Sequence, residues 1–176
     1  MHDFTITADD KRTLYRDLAA ALKGLVAGEP DPIANMANAA ALIWESVPGL
    51  NWAGFYRNVG GELVLGPFQG RPACIRIPFG VGVCGAAAAS LKVQRVADVH
   101  AFPGHIACDA ASVSELVVPI VRDGHLIAVL DLDSPERARF DEEDEAGFVA
   151  IASLLVKALQ SSNSIHPVNP NLCLFD

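Results

Sequence analysis

The apolar residues of this chain change their spacing twice, and this pattern limits the possible folds more than any other feature. Four leucines between residues 14 and 25 recur at helical spacing, and a second helical stretch begins after Asp31-Pro32, a cap followed by a proline suited to the first turn. From Asn51 onward the apolar segments are short, alternating and rich in aromatic and β-branched residues, which indicates strands. The segment FDEEDEAGFVAIASLLVKAL then returns to the helical period, with an acidic first turn that suits the helix macrodipole.

The order of these segments predicts the fold class. Between the helical ends we expect three strands, a short glycine-rich helix, a strand, a long loop and two more strands, with hairpin turns at Gly60-Gly61 and Asp123-Gly124. This order predicts an α+β fold in which a central antiparallel sheet of about six strands is flanked by N-terminal and C-terminal helices that share one face. We expect one domain over residues 1–160 and a flexible tail over residues 161–176, because SSNSIHPVNPNLCLFD has no helical period.

Composition excludes several functional classes. The formal net charge of −8 disfavours a nucleic-acid surface, which needs clustered Lys and Arg. The longest apolar stretches are too short to span a bilayer, and the N-terminal MHDFTITADDKR has no apolar core of a secretory signal. We therefore expect a cytoplasmic protein without nucleic-acid or membrane partners, in which structural disulfides are not expected.

Two cysteines stand in places that favour reactivity. Residues 98–114 have no regular period, and long loops in compact domains are usually functional. Cys108 lies in this loop near His105, which could lower the pKa of the thiol, although a small buried cysteine is the common alternative. Cys84 opens the glycine-rich helix, where the helix dipole could stabilise a thiolate. Whether the two sulfurs meet depends on a Cα separation below roughly 7 Å, which the sequence does not show.

Acidic residues mark the end of the last predicted strand. LDLDS alternates, so Asp131 and Asp133 point to the same face of an otherwise apolar strand. Buried carboxylates must be paired, protonated or bound to a cation. Asp133 could instead cap a turn, and Glu115 at the start of the facing strand could be solvated. Trp52 in NWAGFY could likewise be a core residue rather than part of a ligand site.

Metal and dinucleotide sites are poorly supported. His100 and His105 could be combined with Cys84 and Cys108 as zinc ligands, but only the separation of the two histidines fits a zinc-site spacing. GVGVCG lacks the completed dinucleotide fingerprint and its strand–helix context. We expect no bound metal and no bound cofactor.

The motifs between residues 51 and 134 resemble those of a known family. NWAGFY, LGPFQGRPACIRIPFGVGVCGAAA, HIACDAASVSELVVPI and AVLDLDSP are similar to the free methionine-(R)-sulfoxide reductases, small enzymes built on a GAF domain. The resemblance implies a catalytic Cys108, a main resolving Cys84 and a third exchanging cysteine, Cys74. It also implies a substrate site formed by Glu115, Asp131, Asp133 and Trp52, with Tyr56 as a possible addition.

The resemblance implies a reaction as well as a site. Cys108 would reduce free methionine-(R)-sulfoxide and become a sulfenic acid. Cys84 would condense with this sulfenic acid to form a Cys84–Cys108 disulfide. Thioredoxin, which receives its electrons indirectly from NADPH, would then reduce the disulfide. Glu115 or Asp133 would polarise the sulfoxide, and Asp131 would bind the ammonium group. The expected role is repair of the oxidised free amino acid under oxidative stress, by a homodimer with its first helices at the contact.

Two other functions remain open from the sequence. A non-enzymatic GAF domain could bind a small ligand and signal to a partner, although no attached output domain is visible within 176 residues. A structural zinc protein is the second alternative, and metal analysis would distinguish it.

Overall fold

The computed structural model describes residue 6, residues 8–104 and residues 111–161, with side chains up to residue 158. Within these ranges the helices are α1 (Lys11–Leu25), α2 (Pro32–Ser46), α3 (Gly82–Ser90), α4 (Glu142–Ser161) and a short 3₁₀ helix (Val99–Ala101). The strands are β1 (Trp52–Val59), β2 (Glu62–Gly70), β3 (Arg76–Pro78), β4 (Gln94–Val96), β5 (Ser114–Arg122) and β6 (His125–Ser134).

Side-chain caps begin the first two helices. The Asp31 carboxylate accepts hydrogen bonds from the backbone N–H groups of Ile33 and Ala34 at 2.7 and 2.9 Å, which confirms the predicted start of α2. The Asp10 carboxylate caps α1 in the same way.

The strands form one sheet in the order β3-β2-β1-β6-β5-β4, and every neighbouring pair is antiparallel. The predicted α+β class and the six-stranded antiparallel sheet are confirmed. Asp123 and Gly124 both have positive φ, 52° and 77°, as the predicted hairpin turn between β5 and β6 requires. The third strand is short, because β3 pairs with β2 over residues 76–78 only.

Each face of the sheet carries its own apolar core. The larger core lies between the sheet and helices α1, α2 and α4, so the helices from both ends of the chain do share one face. The smaller core lies between the opposite face and α3, and its buried members include Trp52, Tyr56 and Cys84. Among the described residues, no helix is long and apolar enough to cross a membrane.

One buried carboxylate joins α1 to α4. Asp144, fully buried, accepts hydrogen bonds from the Lys11 ammonium at 2.6 Å and the Tyr15 hydroxyl at 2.6 Å. The Arg139 guanidinium donates to it at 3.1 Å and also donates to the Pro48 carbonyl at 2.9 Å. The acidic start of α4 is therefore more than a macrodipole effect, since one of its acids is a buried anchor.

We predict that Asp144→Ala lowers the free energy of unfolding by roughly 3–5 kcal/mol, because it leaves buried charged and hydroxyl groups without their acceptor. Urea denaturation measures this loss. Glu142→Ala is the matched control, because Glu142 lies in the same helical turn with 92% of its side chain exposed. Equal stability of the two variants would contradict the assigned role of Asp144.

Candidate active site on the α3 face of the sheet

The register of three central strands gathers the predicted site residues. In the β1–β6 pair, Trp52 lies opposite Asp133. Two residues further along, Gly54 lies opposite Asp131. On the other side of β6, Glu115 lies opposite Asp133. Because side chains alternate along a strand, these residues share one sheet face, as LDLDS predicted for its two acids.

Two of the acids and one cysteine form a buried cluster under α3. Only 7% of Glu115, 6% of Asp131 and 4% of Cys84 is exposed. The Cys84 thiol donates a weak hydrogen bond to Glu115 Oε1 at 3.8 Å, and one polar atom from each of the three residues lies within 4.8 Å of the other two. Among the described residues, Asp131 Oδ1 is buried without a hydrogen-bond partner. We refer to Cys84, Glu115 and Asp131 as the thiol–carboxyl cluster.

Burial determines the protonation of the thiol–carboxyl cluster. Desolvation, followed by repulsion from Asp131 and Asp133, raises the pKa of Glu115 well above its usual value. Desolvation raises the pKa of Asp131 to about 6, although hydrogen bonds from Cys84 and Glu115 act in the opposite direction. Burial therefore favours the protonated form of Glu115 more strongly than that of Asp131.

The prediction of a dipole-stabilised thiolate at Cys84 is wrong. Desolvation, with Asp131 and Glu115 beside the sulfur, raises the pKa of the Cys84 thiol well above its ordinary value. The short helix α3 does place Cys84 in its first turn, but burial next to two carboxyl groups outweighs the helix dipole. Cys84 is therefore held as a neutral thiol.

The same protonation disfavours a cation in the cluster. A thiol and two carboxyl oxygens at this spacing could surround a divalent ion. Ligating groups must be deprotonated, however, and both Cys84 and Glu115 favour their protonated forms. His100, considered above as a zinc ligand, contacts Asp98 on the exposed 3₁₀ helix, while His105 lies outside the described residues.

Aromatic rings form a wall beside the cluster. Trp52 stacks on Tyr56 with ring centroids 5.8 Å apart and on Phe68 with centroids 5.2 Å apart. The Trp52 indole N–H donates to the Arg71 carbonyl at 3.1 Å, which fixes the ring. Tyr56 also faces the acids, and its burial raises the pKa of its hydroxyl. Phe68 was not predicted, because in the sequence it is one apolar residue within the GPFQG end of a strand.

Two glycines give the Trp52 ring its space. A Cβ added at Gly54 would lie 2.3 Å from Phe68 Cβ and 2.7 Å from Trp52 Cη2. A Cβ added at Gly70 would lie 2.8 Å from Trp52 Cδ1, and its φ of 124° favours glycine as well. The aromatic wall therefore depends on two positions that carry no side chain.

The cysteines differ in their bonding state. Cys84 is a free thiol, whereas Cys74, half-buried between β2 and β3, is in a disulfide whose partner lies outside the described residues. The predicted Cys84–Cys108 disulfide is therefore not present in this structure, because Cys84 is a free thiol. Cys108 itself lies outside the described residues.

Hydrogen bonds fix the ends of the segment that carries Cys108. The Val99 N–H donates to the Val113 carbonyl at 2.8 Å, which joins the two ends of the predicted loop. The Asn51 side-chain amide donates to the Ser112 hydroxyl at 3.0 Å. Because Asn51 directly precedes Trp52, this bond fixes the end of the loop beside the aromatic wall. Neither Asn51 nor Ser112 was predicted, because a bond between residues 61 positions apart has no local sequence signal.

Comparison with known proteins agrees with this geometry. The GAF domain family model matches residues 32–159. The free methionine-R-sulfoxide reductase of Escherichia coli is 49% identical over 88% of this chain and 93% of its own length, and that of Saccharomyces cerevisiae is 41% identical over 85% and 87%. The chain belongs to the GAF-domain free methionine-R-sulfoxide reductases. Within this reductase family, the structure of the Neisseria meningitidis enzyme in complex with its substrate superposes with a TM-score of 0.89, at 47% identity, over 93% of this chain and 98% of that one.

We predict that Asp131→Asn raises the stability of this reductase-family chain near pH 7 by on the order of 1–3 kcal/mol. The folded-state pKa of Asp131, about 6, exceeds its ordinary value of 3.8, so the folded state binds the proton more tightly and loses stability as pH rises between these values. Urea denaturation at about pH 4 and pH 7 measures the effect. The exposed Glu136→Gln is the control, and a parallel pH dependence in Asp131→Asn and wild type would contradict the prediction.

We predict that Gly54→Ala displaces the Trp52 ring, since the new methyl group overlaps Phe68 and Trp52. In a Trp44→Phe background, where Trp52 is the remaining tryptophan, its fluorescence should shift towards longer wavelengths and stability should fall by roughly 1–3 kcal/mol. Gly24→Ala is the control, because a Cβ at Gly24 meets nothing within 4 Å. An unchanged Trp52 emission would show that the wall tolerates a side chain at residue 54.

Proposed function

We propose that this chain reduces free L-methionine-(R)-sulfoxide to L-methionine, with Cys108 as the attacking sulfur. The observation that carries the proposal is the buried thiol–carboxyl cluster beside the Trp52 aromatic wall. One end of the Cys108 segment is bonded next to this wall, since the Ser112 hydroxyl accepts a hydrogen bond from Asn51, which directly precedes Trp52. The family match supports the substrate class, since relatives at 49% and 41% identity bear the name of this activity.

The charges of the cluster suit a free amino acid. Asp131 is mostly ionised near neutral pH and has an unpartnered buried oxygen, so it is suited to accept hydrogen bonds from the substrate ammonium. Glu115 holds a proton, so it is suited to donate to the sulfoxide oxygen and later to protonate it. Trp52 offers an apolar surface to the methyl group, and sulfur–aromatic contacts contribute about 0.3–1.5 kcal/mol. Asp133, opposite Trp52, completes the acidic side of the site.

The chemistry proceeds in three balanced steps. The Cys108 sulfur attacks the sulfoxide sulfur, the oxygen passes to Cys108, and methionine leaves, so the thiol becomes a sulfenic acid as the sulfoxide is reduced. A second cysteine thiol condenses with the sulfenic acid, forming a disulfide and releasing water. Thioredoxin then reduces this disulfide to two thiols by exchange and becomes oxidised itself.

The contacts support Cys74 as the resolving cysteine in place of the predicted Cys84. Cys74 is half-buried on a connection at the end of the sheet and is already in a disulfide. Cys84 is enclosed, and its raised pKa leaves little thiolate at neutral pH.

We extend the proposal to a cytoplasmic homodimer that repairs the free amino acid during oxidative stress.

We predict that Cys108→Ser abolishes release of methionine from free methionine-(R)-sulfoxide, because it removes the attacking sulfur. Cys74→Ser should release about one methionine per chain and then stall with thioredoxin, because the sulfenic acid has no partner. Coupled NADPH oxidation measures turnover, and chromatography of methionine after mixing measures the first event.

Several outcomes would contradict the proposal. Full turnover by Cys108→Ser would exclude Cys108 as the attacking cysteine. Stalling by Cys84→Ser but not by Cys74→Ser would restore Cys84 as the resolving cysteine. Cys173→Ser tests the fourth cysteine, which also lies outside the described residues, and stalling of this variant would give the resolving role to Cys173 instead. Tight binding of the sulfoxide by wild type without any release of methionine would instead favour a ligand-binding GAF sensor.

A further inference from the structure

We propose that Cys84 is a positioning residue: its buried thiol holds the carboxyl groups of Glu115 and Asp131 in the arrangement that the substrate meets. This inference rests on the proposed reductase function and gives a role to a cysteine that the disulfide chemistry does not use. It differs from the role predicted from the sequence, in which Cys84 exchanged disulfides.

The first argument is that the backbone around Cys84 leaves its sulfur little freedom. Cys84 lies in the first turn of α3, and this turn is bonded to the end of β3 through the Gly80 N–H, which donates to the Gly85 carbonyl at 2.8 Å. A Cβ at Gly85 would lie 2.5 Å from the Pro78 carbonyl oxygen, so the helix and this turn are in direct contact. The thiol is therefore directed at the carboxyl groups by a fixed backbone.

The second argument is that the thiol is a polar neighbour that both acids need. The Cys84 sulfur lies 3.8 Å from Glu115 Oε1, in a cluster that also contains Asp131. A thiol is a weak donor, but in a site shielded from water a weak donor still stabilises the ionised form of an adjacent carboxylate. Hydrogen bonding with Cys84 accordingly lowers the pKa of both carboxyl groups, against the rise that burial causes.

The third argument concerns the other groups that face the cluster. Tyr56 contributes a phenol from β1, and Asp133 contributes another carboxyl from β6 beside Asp131. Asp133 raises the pKa of Glu115, and the buried Tyr56 favours its neutral form. No Lys or Arg is among the groups that affect the pKa of Glu115 or Asp131 within the described ranges. The Cys84 thiol is therefore one of the few groups there that favour a charged carboxylate.

The test compares Cys84→Ala with Cys84→Ser across pH. If Cys84 positions the acids, Cys84→Ala should turn over repeatedly with thioredoxin. Both limbs of its kcat/KM profile should move to higher pH by on the order of 0.5–1 unit, because the carboxyl groups lose a donor. Cys84→Ser retains a hydroxyl donor and should restore the wild-type profile to within about 0.3 units.

A packing control separates positioning from a simple cavity. Val83→Ala removes buried volume from the same core, since Val83 is 2% exposed, but takes away no hydrogen-bond donor. Both limbs of the kcat/KM profile of Val83→Ala should lie at the same pH as in wild type, even if the variant is less stable. Equal shifts in Val83→Ala and Cys84→Ala would overturn the proposal.

Two further outcomes keep this proposal separate from the proposed function. Stalling of both Cys84 variants after one methionine per chain would make Cys84 a resolving cysteine and overturn the positioning role. If the wild type releases no methionine, the proposed function fails. An NMR titration that follows the carboxyl carbons of Glu115 and Asp131 still tests whether Cys84 positions these acids. The pKa of Asp131 should be higher in Cys84→Ala than in wild type, and identical titration curves would overturn the proposal.

Discussion

Every residue of the candidate site depends on the pairing of β6 between β1 and β5. This register brings Trp52, Asp133 and Glu115 side by side across three strands and turns them all towards α3. A shift of one residue would turn Asp131 and Asp133 into the larger core and expose Leu130 and Leu132 on the other face. The apolar core under α1, α2 and α4 therefore enforces the register, although the candidate site lies on the opposite face.

The site contains a combination that folding alone would not favour. Two carboxyl groups and a thiol are buried together there, and this burial raises the pKa of all three, so the free site is destabilised at neutral pH relative to an apolar patch of the same shape. The larger core and the hydrogen bonds of the buried Asp144 offset this penalty, and both lie away from the candidate site. A substrate ammonium would give the buried carboxyl groups a charged partner. The free energy that destabilises the empty site would then become available for binding.

The sequence predicted where the site residues lie on the strands and helices better than it predicted what their side chains contact. Alternation in LDLDS was enough to place Asp131 and Asp133 on one face, and the glycines before Cys84 were enough to predict the start of α3. Spacing could not reveal that Cys84 faces two carboxyl groups, because that contact joins three separate elements. For the same reason Phe68, placed beside Trp52 by the β1–β2 register, was missed. The burial of Asp144 was not predicted, because one buried acid among the four of this helical turn has no local signal.

The contrast between Cys74 and Cys84 follows from what a resolving cysteine must do. Its sulfur has to reach the sulfenic acid and then be reached, as part of a disulfide, by the thiolate of an external reductant. A half-buried position on a connection beside β3 allows both encounters, whereas a thiol enclosed among carboxyl groups meets neither requirement without opening α3. The properties that disqualify Cys84 from exchange, a fixed position and a firmly held proton, are those that a donor to two acids requires. Burial therefore makes Cys74 and Cys84 unequal in their suitability for disulfide exchange, although both lie within one short stretch of sequence.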